Sequence, residues 1–390
     1  MRAAALVPLL AMALAGSLAA QPAPPPRLDW QKIADRLVRQ MALQPGERVL
    51  LLAAPGEFEP LIPLLRLAVI RAGGTDLGSW TVLPLPFLAG QDAAVLEQGE
   101  KRSRTALQSM LQNVDVAVMM PGAIPVHAEY AAMQEVLKSG HGRTIHFHWH
   151  TLGTPSALAV PGHPLPSQEV IDATYQRALF TSDCKAVGAV QRRFAVALRA
   201  GEVRITSPSG TDLRFRIGDR PVNFQDGDAS AARAREAKVL IDREIELPCG
   251  AIRVAPHEES VSGTIAFPTG EWAGKPVEGL KLRFVHGKVT EVTATQGREA
   301  VEEELQKGGE AARSFREIAL GFNPELAVPD AHPWIPYYGY GAGVLRLSLG
   351  DNEELGGKVR GSYVRWNFFT DTTVAVDGKV WVKNGKLIPP

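Results

Sequence analysis

Three histidines alternate in "HFHWH": His146, His148 and His150. On a strand, alternate side chains share one face, so the three imidazoles would stand in a row. Such a row suits a transition metal. The same spacing also arises where imidazoles meet backbone carbonyls at a domain boundary while Phe147 and Trp149 fill the buried face. His127 and His141 lie near in sequence, and nothing in the spacing fixes where they go. A second alternating stretch, "YVRWNFFTD" from Tyr363 to Asp371, sets Arg365 and Asn367 on one face and Val364, Trp366 and Phe368 on the other. A guanidinium fork binds a carboxylate through two parallel hydrogen bonds, which makes this strand a candidate anion contact. "PHEES" adds His257, Glu258 and Glu259; Glu258 or Glu259 is a candidate general base, or both belong to a solvated turn. "PWIPYYGYGAG", Pro333 to Gly343, reads either as a specificity wall over a cleft or as a packed aromatic loop at a subunit contact. There is no Gly-x-Ser-x-Gly elbow, phosphate-binding loop or dinucleotide fingerprint.

The elements that must carry these residues fall into two kinds. From Trp30 to His150 helical and strand patterns alternate. "WQKIADRLVRQMAL" has helical spacing, "RVLLLAA" is a continuous apolar strand, "FEPLIPLLRLAVIRAGG" is a helix ending on glycines, and "VDVAVMMPG" is another apolar strand. Continuous apolar strands between helices predict a mostly parallel α/β sheet covered on both faces. After about Val170 the pattern changes. One long helix, "SDCKAVGAVQRRFAVALRAG", leads into a hairpin turning at Pro-Ser-Gly-Thr, then into short alternating strands interrupted by the helix "EAVEEELQKGGEAARSF". This predicts an α+β C-terminal domain with a twisted antiparallel sheet or barrel. The expected division is 30–150 for the first domain and 151–390 for the second.

The chain has 390 residues, with 42 Lys plus Arg against 42 Asp plus Glu. That balance gives no reason to expect nucleic acid or an anionic membrane as partner. Residues 1–20 read as a secretory signal peptide: Met1-Arg2, an apolar "AAALVPLLAMALAG", then small residues before Gln21. An uncleaved anchor is the alternative. No Cys follows the cleavage point, against a lipoprotein. Residues 21–29 read as a Pro-rich linker, and the expected location is the bacterial periplasm, with no membrane span after cleavage. Cys184 and Cys249 are the two cysteines. In an oxidising compartment they could pair, or stay separate and buried.

Five strings, in order from about Trp30 to Pro390, carry a family resemblance: "LQPGERVLLLAA", "SGTDLRFRI", "LPCGAIRVAPHEESVSGTI", "REIALGFNP" and "LSLGDNEELGG". Together they resemble the metalloaminopeptidases of the aminopeptidase T type. The resemblance implies a two-domain subunit, a homodimer, and a dimetal centre in the C-terminal domain that releases N-terminal residues from peptides. The family's ligand positions fall here on Ala251 (a Glu in the family), Glu317 (retained), Arg346 (a His), Glu353 (a Tyr), and Arg365 with Asn367 (a His-x-Asp pair). The loop before Arg365 is shortened.

Arg has no lone pair for a metal and stays protonated. Ala251 offers nothing, and the two carboxylates Glu317 and Glu353 alone do not hold a pair of divalent ions. A guanidinium about 4 Å from a cation also repels it by roughly 4 kcal/mol per unit charge at an effective dielectric near 20. The sequence therefore predicts a homologue without the dimetal centre or any other cofactor, binding a peptide or small anion through Arg346, Arg365 and Asn367. That reading keeps the arginines reachable; the plainer one pairs Arg346 and Arg365 with Glu317 and Glu353 into a neutral plug that binds nothing. Two alternatives remain. One is an active metallohydrolase with one or two divalent ions (zinc, cobalt, manganese or magnesium) on a rearranged ligand set, using Glu317, Glu353, Glu258 or Glu259, or the His146 cluster. The other is a structural dimer without a ligand.

Overall fold

The computed structural model describes residues 28–150 and 158–388. The expected signal peptide, and most of the linker, lie outside the described residues. Among the described residues no helix is long and apolar enough to cross a membrane.

The first layer is a five-stranded parallel sheet. Its strands run in the spatial order Thr75–Thr81, Arg48–Ala53, Val116–Met119, Arg143–Phe147 and Glu244–Leu247. The apolar run of Arg48–Ala53 explains why it sits near the middle. Val49, Leu51 and Ala53 enter one core with the helices Trp30–Met41 and Leu61–Arg71, and Leu50 and Leu52 enter another with Ala128–Lys138. A strand covered on both faces has no polar side to show, so its hydrophobicity is continuous rather than alternating. The α/β expectation is met. The boundary at 150 is not where this sheet ends, because its fifth strand, Glu244–Leu247, comes from the segment assigned to the second domain. The helix Gln168–Thr181 also packs into the first core through Ile171, Tyr175 and Ala178. A four-residue strand gives little pattern to read, and its parallel pairing is set by contacts about 100 residues away.

The second unit holds two antiparallel sheets. One has the order Val364–Phe369, Leu345–Gly350, Phe315–Gly321, Ala251–Val254, Asn223–Phe224. The other has eight strands, with the hairpin Val203–Thr206 and Asp212–Phe215 near its centre. They enclose one large core between them, which includes Ile205, Leu213, Ile265, Phe284 and Val374 of the eight-stranded sheet. The helix Cys184–Ala200 seals it with Phe194 and Leu198, and starts on Asp183, whose side chain accepts from the Ala186 amide.

The five-stranded sheet is two-faced. Leu345, Leu347 and Leu349 enter the large core with Ile252, Val254, Ile318 and Leu320. The register puts Arg346, Ser348, Glu317, Ala319, Arg253 and Ala251 on the opposite face. That face is not left to water: Glu317, Arg346, Arg253 and Ser348 are all buried. It packs toward the ends of the parallel strands, so a charged sheet face is enclosed between the two units.

Cys184 and Cys249 form a disulfide that joins the first turn of the long helix to the turn before Ala251, across 65 residues of sequence. Of the two alternatives left open by the sequence, the structure shows the paired one. Closing a loop of that length removes roughly 4 kcal/mol of unfolded-state freedom. Reduction, or Cys184→Ala with Cys249→Ala, is expected to lower the midpoint of chemical denaturation by a corresponding amount, read by circular dichroism with and without reductant.

Candidate functional site at the junction of the sheets

The centre of the enclosed face is Glu317, fully buried. Arg253 donates through Nε to its Oε2 at 2.9 Å, Arg346 Nη2 lies 3.1 Å from its Oε1, and Ser348 Oγ donates to Oε1 at 3.3 Å. Arg316 adds a third guanidinium at 3.7 Å. Burial alone would raise this carboxyl, but the charges of Arg253, Arg346 and Arg316 hold it far below the usual carboxylate range. Arg253 also donates to Glu354 Oε1 at 2.8 Å, and Arg316 bonds the same carboxylate. These are charge-assisted bonds in a dry setting, where losing one partner would leave a buried charge exposed to its full desolvation cost.

On the other side stand the carboxyl ends of two parallel strands, where open α/β sheets place their ligands. His146 pairs in register with Glu246. Donor atoms of His146, His148 and Glu246 all lie within 4.8 Å of one another. His146 is wedged between Tyr130 Oη, 3.1 Å from Nδ1, and Thr144 Oγ1, 3.0 Å from Nε2. Burial pushes its pKa well below the usual imidazole range, with His148 and Arg253 adding to the shift. Burial lowers His148 too, partly offset by Glu246. Both rings are therefore neutral at pH 7. Glu244, two residues before Glu246, accepts from Gln134 at 2.9 Å. Burial first, and the Glu354 charge second, push its pKa up to about 8.

Aromatic rings bridge the halves. His148 meets Tyr338 at 5.5 Å, Tyr338 meets Trp366 at 5.3 Å, and the Arg346 guanidinium lies 4.7 Å over Trp366. Tyr337 and Tyr338 take positive φ, 42° and 54°, a conformation that non-glycine residues adopt only when their surroundings impose it. Tyr337 is fixed by donating to the Leu247 carbonyl at 2.6 Å. Gly321 makes the approach of this loop feasible, since a Cβ there would fall 2.0 Å from the Gly341 carbonyl oxygen. The loop "PWIPYYGYGAG" is packed, and Tyr338 is the residue it presents toward the site.

Several sequence-predicted residues lie elsewhere. Arg365 and Asn367 do share a face, and Arg365 Nε donates to Asn367 Oδ1 at 3.1 Å. That face is opposite to the one carrying Arg346, because Arg365 registers with Leu349 and Asn367 with Leu347. Arg365 is fully engaged by Glu304 at 2.8 Å, by the Glu271 carbonyl, and by Trp272, whose ring is 3.6 Å away. No Arg346–Arg365 pair exists, and the residues of this strand that face the site are Trp366 and Phe368. Glu353 is exposed and bridges to Arg360 at 3.0 Å; its neighbour Glu354 is the one in the cluster. Glu258 ties down a loop by pairing with Arg220 and accepting from the Lys358 amide, while Glu259 is exposed. Neither reaches the site. His150 follows the end of its strand at Phe147 and is not in the group with His146 and His148. Ala251 does sit on the site face, but packs among Tyr337 and Tyr340.

Sequence reasoning missed Glu246, Arg253, Arg316, Glu354, Tyr130 and Tyr338. Two of these left a signal. Arg253 follows Ala251 by two in a strand, so it must share that face. Glu244 and Glu246 alternate in "EIEL", which puts both on one side of a short strand.

Residues 188–327 match the family model described as thermophilic metalloprotease (M29). Among solved structures, wild-type AmpT from Thermus thermophilus is similar at 18% identity, with a TM-score of 0.65 over 92% of this chain and 99% of that one. A 2,5-dihydroxypyridine dioxygenase from Pseudomonas putida KT2440 is similar at 17% identity, with a TM-score of 0.61 over 93% and 97%. No curated protein matches the chain. The aminopeptidase T-type resemblance and the two-unit fold are thus borne out. The residues at the family's metal positions do not fit two metal ions, because Glu317 is already neutralised by Arg253 and Arg346.

Glu244 supplies a test of how dry this junction is. Its folded pKa is raised, so the unfolded chain releases the proton first as pH rises. The associated stability is complete below about pH 4.5 and is lost progressively up to about pH 8. Glu244→Gln, which keeps the shape and the neutral state, is expected to flatten that decline. Denaturation midpoints of the two proteins at pH 5 and pH 8.5 check it; equal slopes would mean that Glu244 is solvated.

Proposed function

We propose that this protein is an exported, homodimeric relative of aminopeptidase T-type enzymes that does not hydrolyse peptides at the inherited centre. Instead it binds a small carboxylate-bearing ligand, such as the C-terminus of a short peptide, at Arg346. The observation that carries the first part is the Arg253–Glu317–Arg346 arrangement, in which guanidinium groups take the role that metal ions would have toward Glu317. Support for the second part comes from Arg346 itself: its Nε has no hydrogen-bond acceptor although the side chain is 2% exposed, while its Nη2 is paired with Glu317. Buried donors of this kind ordinarily have a partner, and a guanidinium fork matches a carboxylate. Trp366, 39% exposed, and the half-buried Tyr338 and His148 would form the aromatic entry.

A metallohydrolase with a rearranged ligand set is the second reading. What favours it is the proximity of His146, His148 and Glu246. The experiment that separates the two is hydrolysis of leucyl p-nitroanilide by the mature protein, alone and with added zinc, cobalt or manganese, beside calorimetry with dialanine and dialanine amide. The first reading predicts no release with any metal and binding of dialanine but not of its amide. Arg346→Lys, which keeps the charge and loses the fork, should weaken that binding roughly tenfold, equivalent to about 1.4 kcal/mol. Chelator-sensitive hydrolysis would overturn it.

A further inference from the structure

The parallel-sheet side of the junction has a donor set of its own. Two neutral imidazoles and one carboxylate converge from the ends of adjacent strands: His146 and His148 from one, Glu246 from the other. None of the three occupies a position that the family resemblance assigns to metal. Their chemistry differs from that of the arginine cluster. Neutral imidazole has a lone pair to give, and two His with one carboxylate is a donor set that mononuclear zinc and iron(II) sites use.

Three features argue for more than a chance hydrogen-bonded cluster. First, Glu246 Oε2 is buried without a well-formed hydrogen bond, and the Tyr340 hydroxyl beside its carboxylate carries no charge, which is costly for a carboxylate oxygen unless something else neutralises it. Second, His146 has hydroxyl groups on both nitrogens, Tyr130 Oη and Thr144 Oγ1. Whichever nitrogen turned to a metal, the other would stay oriented by a hydroxyl, as metal-bound histidines usually are by a second contact. Third, the geometry is nearly assembled. Bonds of about 2.1 Å place donors roughly 3.0–3.4 Å apart around a tetrahedral or octahedral ion, and the three donors already lie within 4.8 Å of one another.

We infer that His146, His148 and Glu246 form a binding site for a single divalent first-row transition metal ion, displaced from the inherited centre to the edge of the parallel sheet. Three guanidiniums, Arg253, Arg316 and Arg346, face the carboxylates Glu317 and Glu354 across the junction. A divalent ion held by two imidazoles and one carboxylate keeps net positive charge and open coordination positions, so an anion is the ligand that completes its shell. Arg346 lies within electrostatic reach of Glu246 and Tyr338. A small chelating carboxylate could touch the metal with one end and the guanidinium with the other. This last point alone rests on the proposed function; the three-residue metal site does not.

The test is titration of the metal-stripped full chain with cobalt(II), followed by visible absorption, with bound metal counted by mass spectrometry. One equivalent with ligand-field bands is expected. His148→Ala and Glu246→Gln should each weaken it by more than the roughly 10–100-fold that loss of an outer contact costs, while His257→Ala, on the far surface, should not. X-ray absorption on the unaltered protein should count two imidazoles on the cobalt, which keeps the result decisive if a variant fails to fold. No bound equivalent, no imidazole scattering, or undiminished binding by both folded variants would overturn the site. Oxalate should shift the bands of the unaltered protein more than those of Arg346→Lys. Equal shifts would overturn the anion contact and leave the metal site standing.

Discussion

A carboxylate with 0% exposure, Glu317, sits on a sheet face that must be buried for the two units to meet. Everything around it follows from that one charge. A lone ionised carboxylate in such a place costs far more than folding supplies, so it is met by positive charge or it loses its proton. In the aminopeptidase T type the resemblance implies metal ions for that purpose. Here the same strand face grows arginines: Arg346 on the neighbouring strand, Arg253 on the other neighbour, and Arg316 beside it. The excess positive charge is in turn taken up by Glu354, which explains why the loop after Gly350 folds back onto the sheet. The guanidiniums thus supply the positive charge that lets this face be buried where the two units meet.

Much of the scaffold was legible because it depends on local pattern. The apolar runs of the parallel strands, the alternation in "VLRLSLG", and the hairpin at Pro-Ser-Gly-Thr each announce themselves within a few residues. The alternation that placed Arg365 beside Asn367 was also correct. Its connection to Arg346 was not, because pairing two strands by family position assumed a register, and a shift of one residue turns every side chain to the other face. Trp366 rather than Arg365 faces the site for that reason alone. Glu353 and Glu354 illustrate the same limit at a turn, where adjacent carboxylates diverge, one to water and one to the arginines.

The site as a whole was not legible, for a different physical reason. Its two walls come from segments about 100 residues apart that meet only through tertiary packing. Glu246 lies next to His146 because a strand from the second half of the chain completes the parallel sheet, and nothing in a four-residue strand specifies that partner. "HFHWH" drew attention to the right place, yet the third member of the group proved to be that glutamate instead of His150. Two solved structures similar to this chain are an AmpT and a dioxygenase, two different names on one architecture, so the shared fold leaves the chemistry to be argued from the site.

The most direct test of the account is an anomalous difference map from crystals of the mature protein grown in excess zinc, recorded on both sides of the zinc edge. The account predicts no peak within bonding distance of Glu317, with Arg253 and Arg346 still on its carboxylate, and at most one peak in the junction, at His146, His148 and Glu246. A pair of peaks sharing Glu317 as a ligand, with the arginines swung away, would contradict it and restore the metallopeptidase centre.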